Sequence, residues 1–208
     1  DFSSGENPRD LEGTASLKIA DLTPFAALAG RPLTGSVDLE ASGGLALDLS
    51  EFDVRASGHS DNLAVGHPQF DRIVAGRTTF RIDAARVGGT TTIREAALDT
   101  SMLSVAAEGR TGTPGEALSV SARLNDIAPF VPAITGAATL DGTLRDAGDF
   151  WAADLNAAGP GGISAWVTGR LAQSGSNFEA VGQLPLDFAD RYLGTRSLSG
   201  IARFDVAF

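Results

Sequence analysis

Apolar and polar side chains alternate with a period of two along most of this 208-residue chain. Because successive side chains of a β-strand point to opposite faces of the sheet, this period predicts strands with one apolar and one polar face. Gly-rich turn signals at short intervals favour hairpins between neighbouring strands. The sequence therefore predicts an all-β fold, with an antiparallel or meandering sheet that is covered or closed on one side only.

The apolar positions of the alternating runs are the candidate lining of the covered side. They are Val37, Leu39, Leu45, Leu47, Leu49, Phe80, Ile82, Leu103, Val105, Ile163, Val167, Phe204 and Val206. Trp166 is out of phase with the apolar run around it. We therefore expect its indole to face the outer surface or a neighbouring segment.

One phrase interrupts the alternation more than once. It reads "IADLTPFAALAGRPLTG" at residues 19–35 and "LNDIAPFVPAITG" at residues 124–136. Each copy predicts a strand, one or two helical turns, and a new strand after a Gly, over residues 17–41 and 120–141. A looser third copy covers residues 182–205. Short helical turns are expected near residues 23–30, 127–134 and 187–193.

Capping chemistry explains which residues recur in these connections. A carboxylate just before a helical turn can accept backbone N–H groups, and a Pro in the first turn loses no hydrogen bond. The recurring residues are Asp21, Pro24, Phe25 and Gly35 in the first copy, and Asp126, Pro129, Phe130 and Gly136 in the second. We interpret the phrase as a cap that recurs at an edge or end of the sheet, within one continuous, elongated segment spanning residues 1–208.

Charge and composition narrow the function classes. The formal net charge is −10, with a pI near 4.5, which argues against a nucleic-acid partner. The absence of Cys excludes disulfides and thiolate metal sites. No run approaches the ~20 apolar residues of a membrane-spanning helix. The chain starts at Asp1 and stops within an alternating run, so we expect it to be a piece of a longer protein.

Catalytic and metal-binding chemistry has little support in the sequence. His59 with Asp61, and His67 with Asp71, could hold a metal, but their spacing matches no established site. Loop histidines at a hairpin turn are the favoured interpretation. No phosphate loop, nucleophile elbow or dinucleotide fingerprint is present. We therefore expect neither enzymatic activity nor a cofactor or metal.

The segment "LKIADLTPFAALAGRPLTGSVDLEASG" resembles the TamB family of the Gram-negative envelope. That family repeats a strand, a D-L-x-P-F/L-x-x-L-x-G-x-x-L-x-G connection and a new strand. The first copy here carries the pattern on Asp21, Leu22, Pro24, Phe25, Leu28, Gly30, Leu33 and Gly35. The second copy keeps Asp126, Ile127, Pro129, Phe130, Ile134 and Gly136 but lacks the "GRP" insert, and the third keeps only Leu198 and Gly200.

The resemblance implies a specific architecture and cellular role. It implies a periplasmic fragment of a protein anchored by a single pass in the inner membrane, with a sheet that curls into an open apolar trough, a β-taco. It also implies a TamA-type outer-membrane barrel as partner, and roles in outer-membrane biogenesis, autotransporter assembly, protein secretion and phospholipid transport. The expected cargo is phospholipid or unfolded β-barrel protein.

Three function classes follow from the sequence. The leading hypothesis is a conduit or chaperone segment that binds acyl chains or nascent β-strands by burial in a hydrophobic groove. The alternative is a structural or adhesive β-solenoid or passenger domain with no cargo groove. A hydrolase or metal enzyme is the third class, and it lacks any supporting motif.

Overall fold

A computed structural model of the chain describes residues 2–4, 10–131, 134–173, 175–193 and 198–207. These residues form antiparallel strands joined by turns and a few short helices, so the prediction of an all-β fold is confirmed. The strands are β1 Phe2–Ser4, β2 Asp10–Ile19, β3 Thr34–Ala46, β4 Phe52–Ala64, β5 Arg77–Val87, β6 Thr90–Asp99, β7 Leu103–Thr111, β8 Ala117–Leu124, β9 Ala138–Asp146, β10 Trp151–Ala158, β11 Ser164–Leu171, β12 Asn177–Pro185 and β13 Ile201–Ala207. The α-helices are α1 Ala26–Ala29, α2 Pro68–Ile73 and α3 Leu186–Leu193.

The chain divides into two compact units, Asp1–Arg110 and Thr111–Phe208. Within each unit every strand lies beside its neighbours in sequence, as in a meander. The first unit pairs β1 through β6 in this way, and the second unit pairs β8 through β13. Among the described residues neither order returns to its first strand, so each sheet is open.

The register of the first unit separates an apolar from a polar face, because residues directly opposite each other in a ladder share a face. One row across strands β2 to β6 is Leu17, Leu39, Gly58, Phe80 and Leu98. The adjacent row on the other face is Lys18, Asp38, His59, Thr79 and Asp99. A one-residue step in every strand thus exchanges apolar for polar side chains, as the alternation predicted.

The second unit has the same two faces. One row from β8 to β13 is Val120, Gly142, Leu155, Val167, Ala180 and Val206. The adjacent row on the other face is Ser121, Asp141, Asn156, Trp166, Val181 and Asp205. Trp166 therefore lies on the polar face, and the prediction that it points away from the apolar run is confirmed.

Tight turns and longer, partly helical connections alternate along the chain. In an antiparallel meander, alternate connections lie at opposite ends of the strands. The connections that follow β2, β4, β8, β10 and β12 share one end of their unit's sheet, and most of them carry helical turns. We call these connections the caps. Three of the best-buried apolar residues, Leu22, Val74 and Phe188, belong to caps, and Ala153, Leu155 and Ala180 are the others.

Two residues in the predicted strand lining lie in a turn instead. Strand β3 ends at Ala46, whose N–H donates to Glu51 O at 2.9 Å. Leu47 and Leu49 follow it in a tight turn, each 63% exposed, and Leu49 has a left-handed φ of 59°. The prediction that both continue the strand was wrong. The alternation of apolar and polar residues in "LALDLS" continues beyond the end of the strand. Its polar members Asp48 and Ser50 belong to the turn, where Asp48 Oδ1 accepts the Ser50 N–H.

Of the three helical turns predicted from the sequence, the first and the third are present. A 3-10 turn over Thr23–Phe25 followed by α1 confirms the first, and α3 confirms the third. Near 127–134 the chain forms a hydrogen-bonded turn rather than a helix, with Val131 N donating to Ile127 O, and residues 132–133 lie outside the described residues. Helix α2 occupies a segment that we expected to be a hairpin loop.

Candidate apolar binding face and its caps

The three copies of the repeated phrase close with the same backbone hydrogen bond. Leu22 N donates to Gly35 O at 2.8 Å, Ile127 N to Gly136 O at 2.9 Å, and Leu186 N to Gly200 O at 2.9 Å. The accepting glycines have φ of 103°, 118° and 102°, values that side chains rarely adopt. The third copy is therefore equivalent in geometry to the other two, although its sequence lacks the Pro-Phe pair.

The cap carboxylates act as the sequence predicted. Asp21 Oδ1 accepts the Thr23 N–H at 2.9 Å, and Asp126 Oδ1 accepts N–H groups from Ala128 at 3.0 Å and Gly136 at 2.9 Å. Hydrogen bonds from the Thr23 side chain, and then from its backbone N–H, lower the pKa of Asp21, because they favour the charged form. The N–H groups of Ala128 and Gly136 lower the pKa of Asp126 for the same reason. Asp126 thus bonds backbone groups at both the beginning and the end of its cap.

A further cap between β4 and β5 was missed in the sequence. Asn62 N donates to Gly76 O at 2.8 Å, and Gly76 has a φ of 78°. Here His67 Nδ1 accepts the Phe70 N–H at the start of α2, with Pro68 in the first turn. The sequence signal for this cap was Pro68 at the first helical position, followed by Phe70 two residues later. The segment lacks the Asp before Pro that marks the other copies.

Neighbouring caps contact one another within each unit. In the first unit, Pro32 lies 3.1 Å from the point where a Cβ on Gly66 would stand. In the second, Pro160 lies 3.2 Å from the corresponding point on Gly136, and the Phe188 ring occupies the space beside Gly161. The caps therefore form a packed row at one end of the strands, which requires glycine at the contact points.

The caps cover one end of the apolar face. Ser60 and Thr78 lie opposite each other in the row that begins with Ile19 and Val37, and both are buried. Thr78 Oγ1 donates to Val74 O at 3.4 Å, and Val74 is only 2% exposed. This end of the first unit is thus closed by chain from the cap that contains α2.

The rest of the apolar face of the first unit is only partly covered. Leu17 and Ile82 are each 48% exposed although both belong to this face. Other predicted lining residues on the same face are half-buried, namely Val37, Leu39, Leu45 and Phe80. Within the described residues of the first unit, the strands belong to a single sheet with no second sheet layer.

The remaining lining candidates lie mainly in the second unit. The structure brings together Val167, Phe204 and Val206 on the apolar face, and Ile163 directly precedes strand β11. Leu103 and Val105 are half-buried and two residues apart in β7. That these residues line a groove stays a prediction.

Phe rings compensate for glycines on the apolar face. Three cross-strand pairs place a Phe directly opposite a Gly: Gly58 with Phe80, Gly169 with Phe178, and Gly182 with Phe204. Phe80 Cζ lies 2.7 Å from the point where a Cβ on Gly58 would stand. The ring therefore fills the space that the missing side chain leaves, and it keeps the face continuous.

Ion pairs join the strands of the first unit on its polar face. Arg94 bonds both Asp53 at 2.9 Å and Asp83, while Arg55 Nε bonds Asp83 at 3.0 Å. The hydrogen bonds from Arg94 lower the pKa of both aspartates. Arg81 in turn pairs with Glu95 at 2.8 Å. These charges satisfy one another and leave the polar face hydrated without an evident reactive group.

The histidines have structural positions. His59 lies within β4 on the polar face, 3.7 Å from Asp61, so its placement in a hairpin loop was wrong. The loop composition "SDN" misled the prediction, because β4 extends through it to Ala64. His67 caps α2, and Asp71 accepts the Val65 and Gly66 N–H groups.

The described residues contain no group of three His, Cys, Asp or Glu side chains arranged to hold a metal ion, and none of their helices combines the length and apolarity needed to span a membrane. No family model, curated protein or solved structure matches the chain. The assignment of a function therefore depends on the two-faced sheets and their caps.

Proposed function

We propose that this chain is a periplasmic segment of a TamB-like envelope-biogenesis protein that shelters apolar chains in transit between the inner and outer membranes. In this proposal the sheet curls into an open trough with the apolar face inside. The cargo is phospholipid acyl chains or nascent strands of outer-membrane and autotransporter proteins. The observation that supports it is the apolar face of the first unit, which runs in continuous register and leaves Leu17 and Ile82 half exposed.

Burial of cargo would offset the exposure of this face. Each CH₂ group that leaves water contributes about 0.8 kcal/mol, so an acyl chain gains several kcal/mol by lying on apolar side chains. Leu17 and Ile82 retain about half of their exposure and are available for such contact. A contiguous exposed apolar patch on a protein ordinarily marks a binding surface.

The floor of the face has a shape that suits a flexible chain. The row Ala15, Ala41, Ala56, Ile82 and Ala96 crosses strands β2 to β6. The row on one side of it contains Leu39 and Phe80, and the row on the other side is Gly13, Gly43, Val54 and Ala84. Four of the five members of the row that contains Ile82 are Ala, which leaves a shallow lane across the strands. An acyl chain adapts to such a lane without a specific polar contact.

The envelope context rests on the sequence resemblance and on the caps. Inner-membrane anchoring, the TamA-type outer-membrane partner and the periplasmic location are proposals that the family resemblance carries. The shared closing hydrogen bonds of three caps support a repeat-built segment of this type. The regular order of strands and caps also fits the alternative, a structural or adhesive solenoid whose apolar face packs against further sheet and binds no cargo.

Bound lipid distinguishes the two functions. Organic extraction of the purified chain, followed by mass spectrometry, should detect co-purified phospholipid. Ile82→Glu places a charge on the half-exposed apolar face, whereas Ser57→Glu places one on the polar face. We expect the phospholipid content to fall severalfold in Ile82→Glu and to be unchanged in Ser57→Glu, because an acyl chain cannot cheaply desolvate a carboxylate.

A second measurement addresses protein cargo. The same variants can be titrated with a fluorescent amphipathic peptide that corresponds to one transmembrane β-strand of an outer-membrane barrel. Binding by the parent chain and by Ser57→Glu, with weaker binding by Ile82→Glu, supports strand cargo. If the parent chain binds neither phospholipid nor peptide, or if all three proteins bind both equally, the conduit function is excluded.

A further inference from the structure

An exposed Trp on the polar face of the second unit is held in a fixed orientation. Trp166 is 53% exposed and lies between Asn156 and Val181 in its row. Its Nε1–H donates to Asp154 Oδ1 at 2.6 Å. Asp154 lies on the neighbouring strand β10, so this bond restrains the indole while leaving a large part of it in water. A restrained, exposed aromatic ring is a preorganised binding surface.

Unused hydrogen-bonding groups surround this ring. A depression of about 510 Å³ has Trp166 and Val181 in its lining, together with the polar side chains of Asp141, Asn156, Ser164, Gln183 and Arg203. These five side chains make no hydrogen bond or ion pair with other described residues. The polar face of the first unit differs, because its arginines and carboxylates pair with one another.

The chemistry of this depression selects its ligand. A pyranose ring presents a flat C–H face that stacks on an aromatic ring, and hydroxyl groups at its edge that bond planar polar side chains. Asp141 and Arg203 carry opposite charges, and the Asp154 carboxylate is engaged by the indole, so the lining offers no cluster of one charge sign to attract an ion. We propose that Trp166 and the surrounding side chains form a binding site for a neutral oligosaccharide, separate from the apolar face.

Other ligands fit less well. A protein interface requires an apolar centre from which charged residues are depleted, and the apolar side chains larger than Ala here are Trp166 and Val181 alone. An acyl chain would leave the polar rim desolvated and unpaired. The proposal does not depend on the cargo function of the opposite face.

Titration with defined sugars tests this site. The probes are maltotriose and N,N′,N″-triacetylchitotriose, measured by calorimetry and by Trp166 fluorescence in a Trp151→Phe background. Trp151 lies in the register of the apolar face, so this substitution isolates the Trp166 signal without altering the site. We expect a Kd on the order of 1 mM for at least one probe.

Two variants connect binding to the site. Trp166→Ala should weaken binding at least tenfold, because it removes the stacking surface. Asn156→Ala keeps the indole ring and should weaken binding severalfold, because hydrogen bonds to the sugar are lost. This second variant still tests the site if Trp166→Ala does not fold. The absence of heat and of a fluorescence change up to about 10 mM of both probes overturns the proposal. Binding that survives in both variants, or capture of a protein at Trp166 without any saccharide effect, also overturns it.

Discussion

At the residue scale, Asp126 accepts more backbone N–H groups than Asp21, its counterpart in the first copy of the phrase. Its Oδ1 accepts the N–H groups of Ala128 and Gly136, which lie eight residues apart in the chain. The bonds require the ionised form, so they both stabilise the cap and lower the pKa of the carboxyl group. The stability of this cap is therefore linked to pH.

The sign of that linkage follows from the direction of the pKa shift. Because the pKa in the folded state lies below that of the unfolded chain, the stabilisation is complete above about pH 4 and is lost as the pH falls through the folded-state pKa. We expect Asp126→Asn to lower Tm at pH 7, and the difference from the parent chain to narrow below about pH 4. Asp205→Asn, at an exposed carboxylate in β13, is the control and should produce no such pH-dependent difference. A difference in Tm that stays constant from pH 7 to 3 contradicts this role of Asp126.

The histidines should contribute little. His67→Ala removes the acceptor for the Phe70 N–H and should cost about 0.5–1 kcal/mol of unfolding free energy. His59 lies on the polar face, so His59→Ala should change the unfolding free energy by no more than about 0.5 kcal/mol. Urea denaturation of the single and double variants measures both values. A metal-dependent increase in Tm that the double variant loses would show that the histidines form a metal site.

At the element scale, the pairing of glycines with Phe rings fixes the surface of the apolar face. A Cβ on Gly58 would overlap the Asp38 carbonyl oxygen of the neighbouring strand and stand 2.7 Å from Phe80 Cζ, so Gly58→Ala requires both that strand and the ring to move. We expect a loss of about 1–3 kcal/mol in unfolding free energy. Gly44→Ala is the matched control in β3, because the closest atom to its Cβ is the side-chain Cγ of Glu12 at 3.3 Å. Its effect should be near zero or slightly stabilising. Equal losses in the two variants would contradict the requirement for glycine at position 58.

Much of the element pattern could be predicted from the sequence. Alternation placed Leu39 and Phe80 on one face, and the Asp-x-x-Pro-Phe phrase located the caps with their hydrogen-bonding carboxylates. The pairing of Gly58 with Phe80 could not be predicted, because it depends on register between strands, and a shift of one residue would exchange the faces. Leu47 and Leu49 were misplaced because the residues of a turn can continue the apolar–polar alternation of a strand without adopting its extended backbone.

The candidate site was predictable only in part, for a related reason. Composition and alternation identified an apolar face, and the phase of Trp166 indicated the opposite face. The side chains around Trp166 come from strands β9 to β13, so only the ladder brings them together. Helix α2 was missed because its capping residue is a His, which sequence patterns do not associate with a helix start.

At the scale of the whole molecule, each unit combines an apolar face, a polar face and a row of caps at one end. The apolar face of the first unit leaves Leu17 and Ile82 half exposed, whereas Ala153, Leu155 and Ala180 on the apolar face of the second unit are buried. The polar faces contribute hydrated side chains to a chain with a net charge of −10. The exposed apolar side chains of the first unit need a partner to leave water. The central claim is that this partner is transported cargo and not another layer of structural sheet.

Photo-crosslinking in cells tests that claim most directly. A photo-reactive amino acid replaces Ile82 or Leu39 on the apolar face of the full-length protein, and Ser57 on the polar face serves as the control. Adducts are then analysed for phospholipid and for outer-membrane barrel protein. The account predicts that positions 39 and 82 capture one or both cargo classes, while position 57 captures neither. Adducts from positions 39 and 82 that contain only neighbouring segments of the same chain, or equal capture of cargo from position 57, would contradict it.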